Sequence, residues 1–111
     1  MAGMMEALNI TSLVEVTRAE VDQYAGPSLG AVTIPVFDER QQLYTVIIVP
    51  DRPRPFPARV VVMAQVVNDK IVIIEDTTDK PLVDALMQAG VPREKIVLAY
   101  AGETAPTENV E

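Results

Sequence analysis

A chain of 111 residues is the length of one domain, and folding at this size hides roughly two thirds of the surface that the unfolded chain exposes. Apolar residues make up 49%, rich in Val and Ile, with no Trp, two Phe and three Tyr, so an aliphatic core carried mainly by strands is expected. The formal charge of −7 repels phosphate and anionic lipid at long range, and the lack of Cys and His excludes a disulfide frame, a thiolate nucleophile, a His-based triad and the usual zinc ligands.

In chain order, Met1, Met4 and Met5 near Leu8 and Ile10 suit a frayed start better than a sticky partner surface. The first ten residues lack the cationic segment and apolar core of a signal peptide, and no run of about eighteen apolar residues is present to span a bilayer. A soluble, cytoplasmic protein is expected. Leu13, Val14, Thr17, Val21, Tyr24 and Ala25 share one helical stripe, which predicts a helix over about 12–25 with a Ser12–Glu15 capping box and Gly26-Pro27 as its stop.

From Ala31 the period changes to two. Val32, Ile34 and Val36 fall on one face and Thr33, Pro35 and Phe37 on the other, and Pro35 marks an edge or bulged strand over 31–37. The polar run 38–42 leads into a second strand, 43–49, so the pair reads as a hairpin. The proline-rich segment 50–57 reads as a stiff extended loop. Strands 59–67 and 71–74, split by the turn Asn68-Asp69-Lys70, form a second hairpin, and their near-continuous apolar character predicts burial on both faces. Asp76, Thr77, Thr78 and Asp79 can cap a helix with Pro81 in its first turn, Leu82, Val83, Leu86 and Met87 as its stripe, and Gly90 as its close. Val91-Pro92 turns into a last strand, 95–100. One domain over 1–111 follows, with loose termini at about 1–10 and 102–111. The class is α+β: one mainly antiparallel sheet of about five strands with two helices, in the order α-β-β-β-β-α-β.

Little in this pattern carries chemistry. Asp76, Asp79 and Asp84 with Glu75 lack the spacing of a calcium loop, and helix capping explains them ahead of a metal or acid-base site. No glycine-rich phosphate loop follows a strand, so neither cofactor nor metal is expected and no catalytic residue is assigned. The concentrated basic feature is Arg52, Arg54 and Arg59 with Phe56 between them. Its plainest reading is a rigid solvated loop. As a site, its guanidinium groups and flat ring suit an acidic protein surface first and nucleic acid second. An edge strand over 31–37 would suit a homodimer contact.

The run Asn68-Asp69-Lys70-Ile71-Val72-Ile73, then Glu75-Asp76-Thr77-Thr78-Asp79, then Leu86-Met87-Gln88-Ala89-Gly90-Val91-Pro92-Arg93-Glu94-Lys95-Ile96-Val97-Leu98-Ala99-Tyr100 resembles the XisI-like family, the fdxN-element excision controlling factors. Asp38-Glu39-Arg40 before Leu43-Tyr44 is similar to the family's acidic turn and second strand. Val49-Pro50, Val72 and the ending Tyr100-Ala101-Gly102-Glu103 depart from the family pattern and mark a divergent branch. The resemblance implies a small α+β protein, possible as a homodimer, that serves programmed excision of a DNA element by a site-specific recombinase. It implies an accessory or controlling factor with no catalytic residues to carry over. A XisH-like protein or the recombinase is the partner it suggests. Direct DNA binding through the Arg52 to Arg59 loop is the alternative, with no role for a membrane.

Overall fold

The computed structural model describes residues 9–28, 30–51 and 57–104. Helix α1, Ile10–Asp22, forms on the predicted stripe: Leu13, Thr17 and Val21 are fully buried. Thr17 is tolerated there because its hydroxyl donates to the Leu13 carbonyl at 2.6 Å, which satisfies the polar group inside the helix's own turn. The predicted bounds 12–25 shift toward the N-terminus. Asn9, not Ser12, is the cap, since its side-chain oxygen accepts the Ser12 amide at 3.0 Å, and this brings Ile10 and Thr11 into the first turn.

Gly26-Pro27 does not stop that helix, which has already ended at Asp22. It opens a short strand, β1, Gly26–Ser28. The others are β2 (Ala31–Asp38), β3 (Leu43–Pro50), β4 (Arg59–Val67), β5 (Lys70–Asp76) and β6 (Ile96–Leu98). Together they make a six-stranded sheet in sequential order. Neighbours from β1 to β5 are antiparallel, whereas β6 runs parallel to β5. Both predicted hairpins are present, and β4 begins and ends at the predicted residues. Asn68 takes a positive φ of 58° at the β4–β5 turn, a conformation that Asn adopts more readily than most residues. β1 covers only Ala31 to Thr33 of β2, so 34–38, with Pro35, has no strand on its outer side among the described residues. That is where a residue without an amide donor is tolerated.

The link from β5 to β6 contains helix α2, Leu82–Gln88. Its start is fixed by Asp76, whose carboxylate accepts the Leu82 amide at 2.7 Å and the Thr78 amide at 2.9 Å. Pro81 sits at the cap position, one residue before the first turn. At the other end Gly90 has φ 105°, and the Gly90 and Val91 amides bond to the Met87 and Leu86 carbonyls. This is a Schellman closure, with buried Val91 as its apolar partner. The predicted stripe needs one correction: Leu82 and Leu86 are buried, but Met87 is exposed. The last strand is also shorter than 95–100, because 3₁₀ turns at Arg93–Lys95 and Ala99–Ala101 flank it.

Both helices lie on one side of the sheet. The core joins Leu13, Val21, Leu82 and Leu86 to Tyr44, Val46, Val62, Ala64, Ile71 and Ile73. Burial of the hairpin strands on both faces is therefore overturned. In β4 the core-facing Val62 and Ala64 are buried and Met63 between them is only half-buried, and in β5 Ile74 is exposed. Among the described residues two helices cover one face of the six-stranded sheet, and none lies over the other, apolar face.

Candidate functional site

Of the residues singled out for partner contact, Arg59 is placed at the first position of β4, exposed and in register with Ile48 of β3. Arg52, Arg54 and Phe56 lie outside the described residues, as do Met1, Met4 and Met5. Arg59 thus stands where the proline-rich segment enters the sheet, at one end of the β3–β4 pair.

The clearest polar constellation is at the β2–β3 turn. Asp38 accepts the amides of Arg40 and Gln41 at 3.0 and 3.2 Å, an Asx-type turn that presents Glu39 toward α1. One Glu39 oxygen takes the Tyr44 hydroxyl at 2.7 Å and the other the Arg18 guanidinium at 2.8 Å. These two hydrogen bonds, Tyr44 first, hold the Glu39 carboxyl below its ordinary range. The Tyr44 ring is buried and stacks edge-on against Phe37 at 5.4 Å between centroids. Burial, reinforced by Glu39, pushes its phenol up to about 12. The acidic turn of the sequence therefore works as an anchor between helix and hairpin.

Three further carboxylates are similarly engaged. Asp76 caps α2. Asp69 takes Lys95 at 3.1 Å and Lys70 at 3.4 Å, which lower its pKa. Glu103 accepts the Leu98 amide at 2.9 Å and Arg93 at 2.7 Å, contacts that fasten the chain just after β6 and lower the Glu103 pKa. Among the described residues no three His, Cys, Asp or Glu side chains are grouped to hold a metal. No helix of the described residues is long and apolar enough to cross a membrane.

Two surfaces remain. An open cleft of about 640 Å³ between α1 and α2 is lined by Glu20, Tyr24, Asp79, Lys80 and Asp84 among others, and is bridged where the Tyr24 hydroxyl donates to the Lys80 carbonyl at 2.5 Å. The second is the uncovered sheet face. There Val32, Ile34 and Val36 are 37%, 38% and 46% exposed, and they pair across the β2–β3 ladder with Val49, Ile47 and Thr45. The alternation of β2 placed those three residues together, but only the position of the helices shows that no described helix covers their face.

Among curated proteins, none matches the chain at a significant level. In structure it is similar to a XisI-like protein from Anabaena variabilis ATCC 29413, with 24% identity and a TM-score of 0.73, over 89% of this chain and 91% of that one. It is also similar to the fdxN element excision controlling factor XisI from the same organism, with 22% identity and a TM-score of 0.59, over 82% of each chain. Both likenesses establish a shared fold. The XisI family, described as XisI protein, matches residues 6–107, a span that includes α1, the whole sheet and α2: the chain belongs to the XisI family.

Proposed function

We propose that this protein is a controlling factor in the excision of a DNA element by a site-specific recombinase, and that it acts without catalysis, by binding a partner protein. The observation that carries this reading is the family match over residues 6–107. The name of a structural neighbour, an fdxN element excision controlling factor, supports the same role. The use of the carboxylates agrees with it, since Glu39, Asp69, Asp76 and Glu103 are each committed to backbone amides or cations that hold the fold. The partner is a XisH-like protein or the recombinase itself.

Co-expression of the tagged protein with each of these two candidates is the test. Retention of one of them through purification is the expected result, and failure of both to co-purify contradicts partner binding. A gel shift at low salt that weakens on Arg59→Ala would instead favour direct DNA contact, because phosphate binding is salt-sensitive.

A further inference from the structure

β6 is the last strand of the sheet, paired on one side with β5, and no described strand lies beyond it. A strand in that position offers its outer row of amides and carbonyls to any extended chain that can pair with them. Here the row is already taken. The Ile96 amide bonds to the Arg93 carbonyl, and the Ile96 carbonyl accepts the Arg93 guanidinium at 2.8 Å. The Leu98 amide donates to a Glu103 carboxylate oxygen at 2.9 Å, and the Leu98 carbonyl accepts the Glu103 amide at 3.0 Å. Arg93 and Glu103 are themselves joined at 2.7 Å. We propose that these two residues form a clasp that shuts the β6 edge to strand addition, and that opening it lets β6 pair with the same edge of another molecule.

The phase of the backbone agrees. Alternate residues of a strand turn their amide and carbonyl to the same side, so Ile96 and Leu98 share the outer side. Val97, in register with Val72, is the residue left to bond to β5. Each outward group of this three-residue strand therefore has a partner, and every partner comes from the chain that flanks the strand. Before β6, the 3₁₀ turn Arg93–Lys95 delivers Arg93. After it, the turn Ala99–Ala101 ends at Gly102, whose φ of 94° sends the chain back so that Glu103 returns beside Leu98. One side chain supplies a donor and the other an acceptor, the complement that a seventh strand would bring.

Stability alone does not account for the pair. The two side chains are 42% and 41% exposed, and an ion pair so open to water contributes little by itself. Its charges instead strengthen the hydrogen bond that each side chain makes to the edge. The other margin of the sheet is guarded by different means. Pro35 withholds an amide donor from the part of β2 that β1 does not cover. One margin lacks a donor, and the other has its donors and acceptors occupied.

This inference stands apart from the controlling-factor reading, since neither DNA nor a second protein enters its test. Arg93→Ala/Glu103→Ala removes both arms of the clasp. Its far-UV circular dichroism is expected to match that of the wild type. Light scattering from micromolar to near-millimolar protein is expected to show particles larger than those of the wild type and growing with concentration. A folded variant with wild-type particle size at every concentration overturns the proposal, even if its melting temperature falls. Hydrogen exchange in the unaltered protein supplies a second measurement, which holds if the variant does not fold. There the Leu98 amide, bonded to a side chain, is expected to be protected to within about tenfold of the Val97 amide, which faces β5. A Leu98 amide that exchanges as freely as those of exposed turns would show that the clasp does not close the edge.

Discussion

At the scale of single residues, the Arg18–Glu39–Tyr44 chain links helix to sheet by two hydrogen bonds. Arg18 and Glu39 are twenty-one positions apart, so no local spacing links them. The sequence makes the acidic turn legible as a turn, but the use of its second carboxylate depends on which side chain the packed helix delivers. Tyr44 was legible only as part of a strand. Its buried ring and bonded hydroxyl predict a pH effect. The phenol is neutral in the fold, and its pKa rises from an ordinary 10.0 to about 12. A group with a raised folded pKa stabilises fully below its unfolded value and ceases to do so as pH passes the folded one. Stability should therefore decline between 10.0 and about 12. Tyr44→Phe should be less stable at neutral pH by about 1–2 kcal/mol, through the lost hydrogen bond to a carboxylate, and should show a shallower alkaline decline. Urea denaturation at several pH values measures both.

At the scale of elements, what could be read was whatever local chemistry decides. Strand β4 and the turn at Asn68 follow from an apolar run interrupted by residues that tolerate the turn. Gly90 ends α2 because a positive φ is required there. β1 was not legible, since Gly-Pro-Ser carries no alternation and becomes a strand only because the edge of β2 accepts it. The direction of β6 was equally hidden, because the crossover through α2 sets it. Asp76 was legible as a capping candidate, and its geometry makes it the pivot of that crossover, holding both the Thr78 and Leu82 amides. Asp76→Ala should cost about 1–2 kcal/mol, at the upper end for loss of a helix cap. Amide exchange should quicken over Leu82–Gln88 more than over β3 and β4. Uniform exchange throughout would mean that the carboxylate does not hold α2 independently.

At the scale of the whole molecule, the described residues form an asymmetric sheet, with two helices and a cleft on one side and a largely aliphatic face on the other. Composition indicated a strand-borne aliphatic core and the order of the periodic segments the class, α+β, but a β-branched run looks the same whether or not a helix covers its second face. Of the proposed basic site, Arg59 is placed at the margin of the sheet, while Arg52, Arg54 and Phe56 fall outside the described residues. The chain belongs to the XisI family, and the claim at the centre of the proposed function is control without catalysis. Reconstituted excision tests it most directly: the recombinase, an element-bearing DNA substrate and this protein are combined and each is omitted in turn. The account predicts efficient excision only when recombinase and this protein are both present, with the DNA left intact by this protein alone. Cleavage or rejoining of the substrate by this protein without the recombinase would contradict it, and so would excision that proceeds equally well in its absence.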